Sequence, residues 1–279
     1  MHRFGVMQGR LLPKYKGRYQ AHPVGYWQDE FPVAARLGLS CIEFILDFND
    51  AEQNPLMSDS GLAAIRRIVD QTGVAVRSVC ADYFMEAPIH DARPEVAAAS
   101  LRTAEVLLEN ASQLGVTDIV IPCVDHSSLR TNVERDRFAR NIQPLIPLAE
   151  KAGINLALET DLAPAPFVAL LAQLNSPRVT ANYDLGNSAA LGYRVAEEFA
   201  AYGPRISDIH IKDRKLGGGS VVLGAGHADF QAFFRELARL NFAGPMIMQA
   251  FRDDEGVPVF ERQLQWLLRT GAAFFVRGA

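Results

Sequence analysis

Short apolar segments alternate with polar loops and amphipathic segments along almost the whole chain, and this alternation restricts the folds open to it. Each apolar segment is short and continuous, which is typical of a strand in a parallel sheet that is covered on both faces. The predicted strands are Phe4–Met7, Cys41–Leu46, Val74–Val79, Asp118–Ile121, Asn155–Leu158, Val179–Tyr183, Ile206–Ile211 and Met246–Met248.

Amphipathic helices are predicted between these strands, where apolar residues recur every three or four positions. The clearest are Leu62–Asp70, Leu101–Leu114, Phe138–Lys151 and Phe230–Leu240. Glycines that are expected to end helices precede several strands: Gly38, Gly73, Gly115, Gly153 and Gly244. Repeated strand–helix units predict an α/β fold, a closed (β/α)8 TIM barrel that forms a single domain over residues 1–279. A doubly wound sheet is the alternative fold, and it would need fewer strands than the sequence predicts.

The composition excludes several classes of protein. With 28 Lys and Arg against 32 Asp and Glu, the chain lacks the basic excess expected of a nucleic-acid-binding protein. No apolar run reaches the roughly 18 residues of a membrane span, and the first residues lack the apolar core of a signal peptide. Cys41, Cys80 and Cys123 each lie in an apolar segment without disulfide or metal spacing, which predicts reduced, buried thiols and a cytoplasmic location.

Polar residues cluster where the predicted strands end, and TIM-barrel active sites lie at the carboxyl ends of the strands. The last four strands supply Glu159, Asp184, His210 and Gln249. Each residue alone has an ordinary structural explanation, such as a helix cap or an ion pair. Together, two carboxylates, an imidazole and an amide carbonyl form a mostly oxygen donor set, which suits Mn²⁺, Mg²⁺ or Co²⁺ better than a structural zinc.

The segments that carry these residues are ALET, NYDLGNS, HIKDR and MQAF, and they resemble signatures of the xylose-isomerase-like TIM-barrel superfamily of sugar phosphate isomerases and epimerases. FGVMQGRLLP and CADYFM are also similar to segments of that superfamily, so the resemblance covers essentially the whole chain. It implies an enzyme that binds one divalent ion (Mn²⁺, Mg²⁺, Co²⁺ or Zn²⁺) and acts on a small carbohydrate, including sugar phosphates. It also allows a homo-oligomer, and it implies neither nucleic acid nor membrane as a partner.

The resemblance assigns metal ligation to Glu159, Asp184, His210 and Gln249, and the role of catalytic base to Glu159. That base would remove a proton next to a carbonyl and give an enediolate. Gln249 departs from the family pattern, since the ketose epimerases have glutamate there. Glutamine can ligate through its carbonyl oxygen but cannot act as a base, which shifts weight from an epimerase toward an isomerase or a lyase.

Three alternatives stay open at this point. A lyase or dehydratase acting on a keto-sugar or cyclitol would use the same metal and base. A sugar-binding barrel without catalysis would explain the loss of the second carboxylate at Gln249. An endonuclease of the same superfamily is disfavoured, because its three zinc ions need several histidines and only His126 and His210 follow or end strands.

Seven further polar residues near strand ends are predicted to bind substrate: Gln8, Asp82, His126, Asn187, Lys212, Arg214 and Arg252. Lys212, Arg214 and Arg252 lie after the last two strands, where TIM barrels often hold phosphate, and the glycine-rich segment LGGGSVVLGAGHADF follows the first two of them. That segment is equally typical of a mobile loop, and Asp213 could instead pair with Lys212 and Arg214.

Overall fold

The computed structural model describes residues 4–253 and 256–275. Eight parallel strands form a closed barrel in chain order: β1 (Phe4–Met7), β2 (Cys41–Ile45), β3 (Ala75–Cys80), β4 (Asp118–Cys123), β5 (Asn155–Thr160), β6 (Val179–Asp184), β7 (Ile206–Ile211) and β8 (Met246–Met248). The barrel closes where β8 pairs with β1. The predicted single-domain TIM barrel is confirmed. Its bounds at residues 1 and 279 stay a prediction, because both lie outside the described residues.

Helices surround the barrel. They are α1 (Glu30–Arg36), α2 (Asp59–Thr72), α3 (Tyr83–Glu86), α4 (Pro94–Ser112), α5 (Asn132–Ile142), α6 (Leu145–Ala152), α7 (Pro164–Leu174), α8 (Leu185–Leu191), α9 (Val195–Tyr202), α10 (Phe230–Leu240) and α11 (Val257–Phe275). A short hairpin of Asp213–Arg214 and Ser220–Val221 follows β7. Among the described helices, none combines the length and the apolar character needed to cross a bilayer.

Two helical predictions were wrong in detail. The predicted helix Phe138–Lys151 is divided between α5 and α6, because Pro144 has no amide hydrogen to continue the ladder and its ring collides with the preceding turn. Gly244 does not end α10; Asn241 does so, with a φ of 49° in the left-handed region. An asparagine tolerates this conformation better than most residues, because its short polar side chain bonds locally.

The barrel interior is built by every second residue of each strand, because successive side chains of a strand point to opposite faces. Met7, Cys41, Cys80, Val120 and Ala157 form one buried apolar cluster with their inward-facing neighbours. Above and below this cluster the interior is polar, and it includes buried Glu43, Asp118, Asp208 and His210. The opposite faces of the strands pack against the helices in the larger core.

Four strands continue further at their carboxyl ends than the sequence predicts. β3, β4, β5 and β6 end at Cys80, Cys123, Thr160 and Asp184, so Glu159 and Asp184 lie within strands and not in loops. Glu159 is in register with Pro122, and Asp184 with His210. Side chains on paired strands are held more rigidly than side chains on loops, which favours a preorganised site.

The loop that follows β1 is anchored by a buried carboxylate. Glu30 accepts hydrogen bonds from the backbone nitrogens of Gly9 at 2.8 Å and Leu11 at 2.9 Å. Gly9 has a φ of 88°, and a Cβ there would lie 2.0 Å from the carbonyl oxygen of Tyr19, so the turn requires glycine. This anchored loop carries Arg10 and Gln20.

We expect Glu30 to make stability depend on pH. Burial raises the pKa of its carboxyl from 4.5 to about 7, against the opposing effect of the two backbone hydrogen bonds. The unfolded chain loses this proton near pH 4.5 and the folded chain near pH 7, so the free energy of unfolding falls as pH rises across that window, by up to about 3 kcal/mol.

Glu30→Gln keeps one acceptor, loses one hydrogen bond and cannot ionise. Urea unfolding from pH 4.5 to pH 8 measures the free energy of unfolding of both proteins. The advantage of the wild type in this free energy should shrink as pH rises. An advantage that is constant over this range would contradict the raised pKa.

Candidate active site

A cluster of three buried side chains lies at the carboxyl end of the barrel, on β5, β6 and β7. Nδ1 of His210 is 3.8 Å from Oε2 of Glu159 and 3.9 Å from Oδ2 of Asp184. One ligand atom from each residue lies within 4.8 Å of the other two. These separations are longer than hydrogen bonds, so three potential metal ligands lie around a shared space.

Glu43 on β2 orients the imidazole of His210. Its Oε1 is 2.8 Å from Nε2 of His210, and the hydroxyl of Ser78 donates to its other oxygen. Nε2 therefore carries a hydrogen, and Nδ1 faces the two carboxylates without a hydrogen-bond partner among the described residues. A histidine held by a carboxylate through its remote nitrogen is the usual arrangement of a metal ligand.

The pKa of His210 reflects two opposing influences. Burial alone would lower it, but the carboxylates of Glu43, Glu159 and Asp208 outweigh burial and raise it to about 10. Without a bound cation the ring is therefore protonated at neutral pH. The protonated ring supplies the positive charge that the surrounding carboxylates favour.

Asp184 ends β6 and caps α8 by accepting a hydrogen bond from the backbone nitrogen of Asn187 at 2.8 Å. Nζ of Lys212 is 2.7 Å from Oδ2, the other carboxylate oxygen of Asp184. Burial would raise the pKa of Asp184, but Lys212 and His210 outweigh it and lower the pKa. Lys212 reaches Asp184 because Gly186 leaves room, since a Cβ at Gly186 would lie 2.8 Å from Cγ of Lys212.

Glu159 is positioned by Asn187. Nδ2 of Asn187 donates to Oε1 of Glu159 at 2.8 Å, and Oδ1 of Asn187 accepts from Nη1 of Arg214 at 2.8 Å. Burial is the main cause that raises the pKa of Glu159 to about 7, with His210 and Lys212 opposing it and Asp184 adding to it. A carboxylate that exchanges its proton near pH 7 is suited to general-base chemistry.

Gln249 follows β8 directly, and both ends of its amide are buried in the same region. Nε2 donates to Oε1 of Gln20 at 2.8 Å, and Oε1 has no hydrogen-bond partner among the described residues. Gln20 also accepts from Nη2 of Arg10 at 3.0 Å and donates to Oδ2 of Asp82 at 3.2 Å. Gln20 therefore connects Gln249 with Asp82.

These side chains fit a divalent cation. The carboxylates of Glu159 and Asp184, Nδ1 of His210 and the carbonyl of Gln249 form a mostly oxygen donor set, and the last two atoms are buried without a hydrogen-bond partner among the described residues. Glu43, Cys80 and His210 form a second close group. The polar atoms of that group are already paired, because Sγ of Cys80 donates to Asp82 and Nε2 of His210 contacts Glu43.

The predicted substrate-binding residues divide into two sets. Asn187, Lys212 and Arg214 are bonded to the cluster or to each other, and Asp82 joins it through Gln20. Gln8, His126 and Arg252 occupy other surroundings. For all of them, substrate binding stays a prediction.

Gln8 is fully buried and joins neighbouring segments: its Oε1 accepts from the backbone nitrogen of Ile45 at 3.0 Å and lies 3.1 Å from Nδ1 of His22. Arg252 donates to the carbonyl oxygen of Arg10 at 2.8 Å and stacks on the ring of Tyr19 at 4.4 Å. His126 is exposed in the turn after β4.

The glycine-rich segment after β7 is organised by Asp213. Its carboxylate accepts from the backbone nitrogens of Gly224 at 2.9 Å, Gly226 at 2.8 Å and Ala228 at 3.1 Å. A Cβ at Gly226 would lie 1.9 Å from Oδ1 of Asp213, so the close approach requires glycine. The carboxylate thus binds the loop backbone, in place of the pairing with Lys212 and Arg214 that the sequence left open.

Glu43, Gln20 and Arg10 were not included among the predicted site residues. Glu43 carries a visible signal, because it is a lone acidic residue inside the apolar strand CIEFI. Arg10 follows β1 closely, which is a weaker signal of the same kind. Gln20 lies in an irregular loop, and no local pattern distinguishes it.

Comparisons with known proteins agree with this architecture. A family model described as xylose isomerase-like TIM barrel matches residues 31–270. L-ribulose-5-phosphate 3-epimerase UlaE of Escherichia coli strain K12 is 26% identical over 254 residues, which cover 87% of this chain and 88% of that relative.

Two solved structures share the fold. The 3-keto-D-glucoside 4-epimerase YcjR of E. coli superposes with a TM-score of 0.75 at 17% identity, covering 96% of this chain and all of the other. A xylose isomerase-like TIM barrel protein of Mycobacterium smegmatis in complex with magnesium gives a TM-score of 0.70 at 21% identity, with 90% of each chain covered.

We expect Glu43→Gln to lower the pKa of His210 by about 2 units or more, because glutamine keeps an acceptor for Nε2 but removes the charge that opposes burial. Side-chain NMR titration of His210 in the metal-free protein measures this. Glu52→Gln, at an exposed position, is the matched control. A pKa that stays near 10 in the Glu43 variant would show that other groups hold the proton.

Proposed function

This chain belongs to the xylose isomerase-like TIM barrel family, and we propose that it is a divalent-metal-dependent enzyme that isomerises or epimerises a small carbohydrate. The buried approach of Glu159, Asp184 and His210 at the carboxyl end of the barrel carries this proposal. The matched relatives named as sugar epimerases support the substrate class.

Glu159, Asp184, His210 and Gln249 would hold one divalent ion, Mn²⁺, Mg²⁺, Co²⁺ or Zn²⁺. The oxygen-rich donor set favours the first three. The magnesium complex of the M. smegmatis protein supports a divalent ion in this fold. Such an ion polarises a substrate carbonyl and stabilises negative charge that develops on its oxygen.

Glu159 is the proposed base. Its pKa is about 7 in the metal-free protein, so a large fraction is already ionised at neutral pH, and the carboxylate can take a proton from the carbon next to the carbonyl. The electrons of the broken C–H bond form a carbon–carbon double bond, and the carbonyl oxygen becomes the enediolate oxygen. Glu159 returns this proton to the former carbonyl carbon, and the hydroxyl proton on the adjacent carbon passes to the enediolate oxygen. The carbonyl then lies on the adjacent carbon, which completes an isomerisation. Asn187 holds the carboxylate in place during both transfers.

Gln249 favours a reaction that needs one base. Epimerisation at a single carbon requires proton transfer on both faces of the sugar, and a neutral amide cannot supply the second transfer. Aldose–ketose isomerisation uses one carboxylate on one face. The same feature favours a second candidate, a lyase or dehydratase acting on a keto-sugar or cyclitol, whose unsaturated product would absorb in the ultraviolet.

Basic side chains near the cluster favour an anionic substrate such as a sugar phosphate. Lys212 and Arg214 lie beside Asp184 and Asn187, and Arg10 contacts Gln20. The relative UlaE is named for a phosphorylated sugar. We further propose a cytoplasmic location, because the three cysteines are free and buried.

Glu159→Gln should abolish the proton transfer and leave the shape of the site. We expect incorporation of deuterium from D₂O into an accepted sugar to fall about 10³-fold, the loss typical of a removed general base. Glu197→Gln, at an exposed position on α9, is the control and should exchange at the wild-type rate. Full turnover by the Glu159 variant would assign the base elsewhere.

Asp184→Ala should release the metal. Elemental mass spectrometry of the wild type should find about one divalent ion per chain, and the variant should retain little, because one carboxylate ligand is gone. A wild type that holds no divalent ion, even after reloading, would contradict the catalytic proposal and favour a sugar-binding barrel.

A further inference from the structure

We propose that Gln20 is a positioning residue that determines which way round the amide of Gln249 lies, and that this barrel is built for glutamine, not glutamate, at residue 249. The consequence for metal binding rests on the proposed function. The arrangement of hydrogen bonds that carries the proposal is a property of the protein without metal.

The orientation of Gln20 is set by its two charged neighbours. The guanidinium of Arg10 can only donate, and Nη2 lies 3.0 Å from Oε1 of Gln20. The carboxylate of Asp82 accepts, and its Oδ2 lies 3.2 Å from Nε2 of Gln20 while its Oδ1 accepts from the thiol of Cys80. The amide of Gln20 therefore presents oxygen to Arg10 and nitrogen to Asp82.

The orientation of Gln249 follows from that of Gln20. Oε1 of Gln20 already faces Gln249, so Gln249 must offer its nitrogen, and the observed contact is Nε2 to Oε1 at 2.8 Å. This turns the carbonyl oxygen of Gln249 away from Gln20, where it is buried and has no hydrogen-bond donor among the described residues. A metal ligand needs this free carbonyl oxygen.

A glutamate at residue 249 would oppose this arrangement. One of its oxygens would face Oε1 of Gln20, and two acceptors at hydrogen-bond distance repel each other. Rotating the amide of Gln20 would relieve that contact. It would also turn the nitrogen of Gln20 toward Arg10 and its oxygen toward Asp82, which creates two mismatched contacts. Gln249 is thus matched to its neighbours, and replacing it alone by glutamate does not supply a second base.

The test is a double-mutant cycle on the full chain without metal. Urea unfolding in EDTA at pH 8 compares wild type, Gln249→Glu, Gln20→Met and the double variant. Methionine has a similar length but offers no strong acceptor, so Arg10 becomes free to pair with a carboxylate at residue 249. We expect Gln249→Glu to raise the equilibrium constant for unfolding about tenfold in the wild-type background. In the Gln20→Met background the same substitution should raise it less than about threefold.

A second measurement is titration of the metal-free protein with Mn²⁺ by calorimetry. We expect Gln20→Met to weaken Mn²⁺ binding about tenfold, because the amide of Gln249 is then free to turn its nitrogen toward the cluster. Gln71→Met, at an exposed position on α2, is the matched control and should bind Mn²⁺ like the wild type.

The outcomes separate the two proposals. A wild type that binds no Mn²⁺ would overturn the proposed function, and the unfolding cycle would still decide how the amide of Gln249 is held. An equal effect of Gln249→Glu in both backgrounds would overturn the present inference, whatever the metal does. Unchanged Mn²⁺ affinity in Gln20→Met would overturn the positioning role toward the metal.

Discussion

The contact between Glu43 and His210 is the interaction on which the candidate site depends. It crosses the barrel interior from β2 to β7 at 2.8 Å, and both side chains are fully buried. An unpaired carboxylate at this depth would cost several kcal/mol, so the buried carboxylate of Glu43 depends on its contact with His210. The same contact turns Nδ1 of His210 toward the carboxylates of β5 and β6. One hydrogen bond thus stabilises the interior and prepares the ligand.

Two neighbouring carboxylates acquire opposite properties from their surroundings. Lys212 lies 2.7 Å from Asp184 and keeps its pKa low, whereas Glu159 has a neutral partner, Asn187, and its pKa rises to about 7. Two neighbouring carboxylates whose pKa values are shifted in opposite directions are typical of a site in which one stays charged and the other exchanges protons. These opposite shifts agree with the roles proposed for the two residues, Glu159 as the base and Asp184 as an ionised metal ligand.

A neutral residue at position 249 fits this balance of charges. The cluster has two carboxylates facing two cationic groups, His210 and Lys212. A third carboxylate would add a negative charge, and Oε1 of Gln20 contacts both Arg10 and residue 249. The presence of glutamine at position 249 is thereby connected to a set of hydrogen bonds. It changes the expected chemistry because an amide cannot carry a proton between the faces of a sugar.

The barrel was predictable without the structure, because its strand–helix pattern is set by local residue spacing and repeats along the chain. Glu159, Asp184 and His210 were predictable from their places at consecutive strand ends. The roles of Glu43 and Gln20 emerge only in the folded protein, because their partners His210 and Gln249 lie 167 and 229 residues away in the sequence. The direction of a hydrogen bond depends on which donor or acceptor lies opposite, and no local pattern contains that information.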